Sequence, residues 1–200
     1  AYKRAYGAMS ALGGDLYLSE ITKSQVEDMK VSLLEEGLGK ATVNRYLASL
    51  KTILNHAHKD WEVLSGVPKI KLYKETNGRL RIISSQELDE LVKQMHSYGK
   101  PEVGHLMSVL YDTGMRLGEA LALKYSWIDH NQKLISIWDH IKNDKPRSIP
   151  MTERVKIALK AVEPYREGEV IFPVTKDSVE HYWKKARRDM GLSEDKGFVI

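Results

Sequence analysis

The chain has 200 residues, 42% hydrophobic and 29% charged, enough apolar material for one or two packed domains and too much for a disordered or fibrous chain. It has no cysteine, which excludes disulfide scaffolds, thiolate metal sites, iron–sulfur clusters and cysteine nucleophiles and fits a reducing compartment. Lys and Arg number 31 against 27 Asp and Glu, giving +4 and a pI near 9.0, a balance that permits a polyanionic partner without requiring one. No apolar run of about 18 residues and no signal-peptide pattern occurs, so the sequence predicts neither a membrane span nor an export signal and points to the cytoplasm.

In chain order, residues 1–67 read as a mainly helical domain. Thr22 opens a capping box with Gln25, and Val26, Met29, Leu33 and Leu34 then recur at helical spacing until Gly37 and Gly39. A second helix follows, with Val43, Tyr46, Leu47, Leu50, Ile53, Leu54 and Ala57 on one apolar stripe and Asn44, Arg45, Lys51, Thr52 and Asn55 on other faces. Charge separates the two. From Glu20 to Glu36 five acids (Glu20, Glu27, Asp28, Glu35, Glu36) face Lys23 and Lys30, whereas Gly37 to Lys59 holds Lys40, Arg45, Lys51 and Lys59 and no acid. An apolar stripe backed by cations, amides and hydroxyls suits a DNA phosphate track and equally a solvated surface.

Apolar periodicity stops at Pro68 to Gly78, which reads as a linker. Beyond it, residues 79–200 read as a mixed domain. Ser84 and Glu87 form another capping box, and a further helix runs through Val103, Leu106, Met107, Leu110 and Tyr111 to Gly114. Three short strands are expected at Trp127 to Asp129, Leu134 to Trp138 and Ser148 to Met151. Helices then return at Glu153–Val162 and, capped by Thr175, at Asp177–Met190. The fold class is α+β, mainly α with a small antiparallel sheet. The seven methionines and four tryptophans, Trp127 and Trp138 among them, read as core. His56 and His58 point to different helix faces, so no metal site is expected, and no cofactor motif is present.

The most informative stretch runs from Asp112 through Gly114, Arg116 and Glu119 to Leu121. Gly114 ends one helix, Arg116 starts the next, and Glu119 lies one turn on, where its carboxylate can orient the guanidinium. A fixed guanidinium fork suits a phosphate; a surface i,i+3 ion pair is the bland reading. Some 25 residues on, Ile141 to Pro150 forms a cationic turn between two expected strands, with Lys142, Lys145 and Arg147 in a K-x-x-K-x-R spacing.

Together, TGMRLGEAL, the strand pair and KNDKPRSIP resemble the catalytic domain of the tyrosine recombinases, the phage-integrase family. SEITKSQVEDM and ATVNRYLASLKTILNHA resemble that family's core-binding domain. The resemblance implies a SAM-like helical core-binding domain at 1–67, a linker at 68–78 and a partial catalytic domain at 79–200. By it Arg116 matches the first active-site arginine, Glu119 its supporting acid and Lys142 the mobile β-hairpin lysine, with Lys145 the competing candidate. The DNA-contacting candidates are Lys40, Thr42, Asn44, Arg45, Lys51, Lys145 and Arg147, and the helix stretch HYWKKARR (His181 to Arg188) suits either phosphate contacts or solvent. The implied partner is a double-stranded recombination half-site, bound in the cytoplasm of a bacterial host, with a homotetramer forming on paired DNA in the complete protein. The implied chemistry needs no metal or cofactor.

The family completes its site with an H-x-x-R arginine, a later His or Trp and a nucleophilic tyrosine. None of these is found, and none of the ten tyrosines falls at the nucleophile position. Gly197 to Ile200 falls about where the H-x-x-R would begin. The expectation is therefore a DNA-binding fragment of a mobile-element integrase, inactive alone, whose complete protein cleaves and rejoins DNA through a 3′-phosphotyrosyl intermediate. The rivals are a non-catalytic DNA-binding protein or regulator that keeps the fold, and a type IB topoisomerase.

Overall fold

The computed structural model describes residues 2–14, 16–75, 81–138, 146–165 and 168–195. The chain divides into two compact units, Ala1–Gly78 and Arg79–Ile200.

The first unit is helical: α1 (Tyr2–Ala11), α2 (Lys23–Glu35) and α3 (Lys40–Lys59). The Thr22 hydroxyl accepts from the Gln25 N–H at 3.3 Å while the Gln25 side chain accepts the Thr22 N–H at 2.8 Å, so the capping box forms as the sequence predicts. Beyond α2, Gly37 adopts φ 85°, and the Leu38 N–H returns to the Leu33 carbonyl at 3.1 Å. Val43, Leu47, Leu50, Leu54 and Ala57 of α3 are fully buried against Ala8, Val26, Met29 and Leu33. Each buried leucine contributes about 1.5–3 kcal/mol. No sequence signal marked α1, whose stretch has neither a cap nor clear periodicity; it is held by packing along α3.

The segment from Pro68, read as linker, is docked on this unit up to the last residue described, Glu75. Val67, Ile70 and Tyr73 pack on the helical core. Asn44 accepts the Tyr73 N–H at 2.8 Å and donates to the Tyr73 carbonyl at 2.9 Å and the Glu75 carboxylate at 2.6 Å. Lys30, only 5% exposed, donates to Glu27 and to the Lys71 carbonyl and lies 4.7 Å from the Tyr73 ring centre. Composition showed where helical periodicity stops, which is not where packing stops.

The second unit contains α4 (Ser85–Ser97), α5 (Pro101–Thr113), α6 (Leu117–Leu121), β1 (Ile128–Asp129), β2 (Leu134–Ile137), β3 (Arg147–Pro150), α7 (Glu153–Val162) and α8 (Lys176–Asp189). The Ser84 and Glu87 capping box is present, and Thr152 and Thr175 cap α7 and α8. The strands form an antiparallel sheet in the order β1-β2-β3, with Ile135 opposite Ile149 and Ile137 opposite Arg147. Ile135 and Ile137 are fully buried and face the helical core of Leu88, Leu91, Met95, Leu106, Val155 and Val162. Gly104 brings α5 close to α4: a Cβ there would lie 3.2 Å from Met95 Cβ and 3.4 Å from the Val92 carbonyl oxygen. The segment carrying Ile171 and Phe172, each 1% exposed, runs beside residues 123–125, with the Ile171 N–H on the Leu123 carbonyl at 2.9 Å. Trp127 is buried as expected, but Trp138 and Trp61 are 64% and 59% exposed. Strand alternation turns Trp138 outward, and Trp61 lies just past the end of α3.

Phe172→Ala should destabilise the second unit by about 3–5 kcal/mol, the usual cost of emptying a buried phenylalanine site. Denaturant unfolding checks this, and a loss below about 1 kcal/mol would mean that the aromatic ring is not a core element.

Candidate active site

The turn between α5 and α6 places the first site residue. The Thr113 hydroxyl donates back to the Val109 carbonyl and accepts the Met115 N–H at 3.3 Å. Gly114 is left-handed at φ 60°, and its N–H closes on the Leu110 carbonyl at 3.0 Å. An L side chain is strained there, so glycine allows the sharp exit. Asp112 braces the turn from the other side, accepting from the Thr152 hydroxyl and, at 3.0 Å, from Arg154. Met115 is buried as an anchor and Arg116 emerges as the residue before α6, its side chain 55% exposed.

Glu119, in the first turn of α6, is 1% exposed. Its Oε2 accepts the Arg116 N–H at 2.8 Å and its Oε1 accepts Arg116 Nη1 at 2.8 Å. The same two oxygens accept from Arg147 on β3, Nη1 at 3.1 Å and Nη2 at 2.7 Å. Burial works to raise the Glu119 carboxyl, but bonds from Arg147 and from the Arg116 N–H and guanidinium outweigh it and hold the group at about 2. One buried carboxylate thus orients two guanidinium groups and leaves a net positive charge at the protein surface. An apolar cavity of about 820 Å³ lined by Leu88, Leu91, Met107, Leu110 and Trp183 opens beside Arg116.

The structure therefore joins Arg116 and Glu119 as the spacing predicts and adds Arg147, which the sequence suggested as a DNA contact. A signal for this was present: Arg147 and Ile149 alternate with Ser148 and Pro150, and the register puts Arg147 opposite the buried Ile137. Lys142 and Lys145 lie outside the described residues. In the first unit, Lys40, Arg45 and Lys51 are exposed on α3 and Thr42 is half-buried in its first turn. Asn44 requires correction: it is 6% exposed and its amide is taken up by Tyr73 and Glu75, so it belongs to the packing of the 67–75 segment. A partner 29 residues away has no local signature. On α8, Lys185 lies over the Tyr98 ring at 3.9 Å and Arg187 binds the carbonyls of Leu192, Ser193 and Asp195, whereas His181, Lys184 and Arg188 are exposed, Arg188 pairing with Asp189 at 3.4 Å.

The helical unit thus presents exposed cations on α3, and the α+β unit seats two guanidinium groups on a buried acid. The phage integrase family model matches residues 81–198, and the chain belongs to that family. It is 24% identical over 169 residues to the tyrosine recombinase XerC of Corynebacterium glutamicum, covering 78% of this chain and 54% of that protein. A shufflon-specific DNA recombinase of Escherichia coli is 24% identical over 190 residues, covering 88% of this chain and 48% of that one. The chain spans about half the length of the curated relatives it matches. Among solved structures, the Tn1549 transposon integrase in complex with a circular intermediate DNA shares the fold with a TM-score of 0.78 at 18% identity, over 95% of this chain and 72% of that one.

Glu119 carries a pH prediction. Its folded pKa of about 2 lies below the ordinary value of 4.5, so its stabilisation is complete above 4.5 and is lost as pH falls through about 2. The thermal midpoint of Glu119→Gln should depend less on pH across that window than that of the unmodified chain. Equal slopes would show that Glu119 is not held ionised by the two arginines.

Proposed function

We propose that the chain supplies the DNA-binding surface and the first half of the active site of a site-specific tyrosine recombinase carried by a mobile element. In the complete protein a tyrosine oxygen forms a bond to a DNA phosphorus as the P–O5′ bond breaks, leaving a 3′-phosphotyrosyl link and a 5′ hydroxyl. The observation that carries this reading is the preorganised Arg116, seated on a buried carboxylate shared with Arg147. Attack on a phosphodiester concentrates charge on its non-bridging oxygens, and a guanidinium held in place before the reaction stabilises that charge without reorganising. Lys142 is assigned as the general acid that protonates the departing 5′ oxygen, and Lys145 is the residue against which that assignment is tested. Family membership and the fold shared with DNA-bound integrases support the same reading.

The DNA surface is assigned to the exposed cations of α3, Lys40, Arg45 and Lys51, with Thr42 in the first turn. The partner is a double-stranded half-site, and the complete protein works as a tetramer on paired DNA, the arrangement seen for lambda integrase on a Holliday junction. The 200 residues alone bind DNA and form no covalent link.

In the complete protein, Arg116→Ala should lower covalent trapping on a suicide half-site by about 100-fold to 1,000-fold, the usual effect of removing one transition-state donor. Affinity should change little; normal trapping removes Arg116 from the site. A complete protein that binds the half-site yet forms no adduct would instead be a DNA-binding regulator. Trapping of an adduct by the 200-residue chain would overturn the assignment of the nucleophile outside it.

Arg45→Ala and Lys51→Ala should each flatten the log–log salt dependence of DNA binding by about 0.9 if each neutralises one phosphate. Unchanged slopes would return α3 to solvent.

A further inference from the structure

The Glu119 carboxylate has room for about four hydrogen bonds, and four are made: two from Arg116 and two from Arg147. Without Arg147, the buried acid and Arg116 would form a neutral pair, and most of the field Arg116 directs at an approaching phosphate would be cancelled by the carboxylate behind it. With Arg147 in place the cluster keeps one positive charge, and the carboxylate is held on both sides. Arg147 also comes from a different element. It faces inward from β3, opposite Ile137, while Arg116 and Glu119 belong to the start of α6. Both of its terminal nitrogens are directed at Glu119, and its side chain is less exposed than that of Arg116, 36% against 55%.

We infer that Arg147 is a positioning residue for Arg116: acting through Glu119, it locks the carboxylate in register and supplies the second positive charge that leaves Arg116 free to act on a phosphate. This rests on the recombinase reading for its functional consequence, though not for its geometry. It replaces the role of direct DNA contact that the sequence suggests for Arg147. A phosphate contact and a positioning role make different demands. A contact to a flanking backbone phosphate, the role the sequence suggests, contributes to affinity and salt dependence, whereas a residue acting behind Arg116 contributes to the rate of the chemical step.

The test compares Arg147→Ala and Arg147→Lys in the complete protein, with single-turnover cleavage of a suicide half-site and salt-dependent binding measured on the same preparations. Cleavage by Arg147→Ala should fall about 100-fold, the effect of a small misplacement of a catalytic group, with affinity and salt slope as in the unmodified protein. Arg147→Lys restores the charge but not the two-pronged fork, so its cleavage should fall between the two. A second readout uses the 200-residue chain with ¹³C-labelled glutamate. Among the described residues the charged groups acting on Glu119 are Arg147 and Arg116, so its carboxyl titration should move to higher pH in both variants. Wild-type cleavage in Arg147→Ala overturns the inference. So does a cleavage loss that tracks a loss of affinity and a salt slope smaller by about 0.9, which marks a direct phosphate contact. If Arg147→Ala does not fold, Arg147→Lys decides by the same criteria. If the unmodified complete protein forms no adduct, the recombinase reading fails, and the Glu119 titration alone decides: an unmoved midpoint overturns the coupling and a raised one sustains it.

Discussion

A carboxylate removed from water has to be compensated where it lies, and the second unit is arranged around meeting that demand at Glu119. Its partners come from two directions, Arg116 from the preceding turn and Arg147 from a strand that arrives later in the chain. Taking either partner away would leave two of the carboxylate's four hydrogen bonds unmade, and taking both would strand its charge in a site that water does not reach, a change that costs several kcal/mol. The sheet register, the sharp turn at Gly114 and the brace between Asp112 and α7 therefore serve a common end, since each fixes one of the groups that must meet at this point. The stability of the fold and the readiness of the site are the same set of contacts.

What the sequence revealed and what it concealed divide along the range of the interactions. Local chemistry was legible. The capping boxes at Thr22 and Ser84, the cap at Thr175 and the left-handed exit at Gly114 depend on residues a few positions apart. The same is true of Arg116 with Glu119, an i,i+3 pair whose meaning could be read from its spacing. The Arg147 to Glu119 pair spans 28 residues and the Asn44 to Tyr73 clamp 29, and no periodicity encodes such distances. The alternation of Arg147 with Ser148 pointed inward, but only the register with the buried Ile137 turned that direction into a partner. Helix α1 was missed for a related reason, since its stability comes from the surface of α3 and not from its own residues.

Cations in this chain do different physical work that composition cannot separate. Lys30, Lys185 and Arg187 are engaged with aromatic faces or backbone carbonyls and act as structural fasteners. Arg45, Lys51 and Lys184 stand in solvent with their charge available, whereas exposed Lys40 lies 6.0 Å from the Tyr73 ring centre and exposed Arg188 pairs with Asp189 at 3.4 Å. A net charge of +4 mixes these roles, so the capacity for a polyanion is a property of exposed faces and not of the sum. Arg116 and Arg147 are restrained by a buried acid while remaining partly open to solvent.

The docking of residues 67–75 on the helical unit has a practical side. Lys30 and Asn44 are almost completely enclosed, and the groups that satisfy them include backbone atoms of Lys71 and Tyr73 and the Glu75 carboxylate. A helical unit expressed alone and trimmed at Val67, where periodicity ends, would leave an ammonium and an amide facing an apolar surface that no longer has a cover. A stand-alone version that keeps the native partners of both groups therefore carries its chain through Glu75.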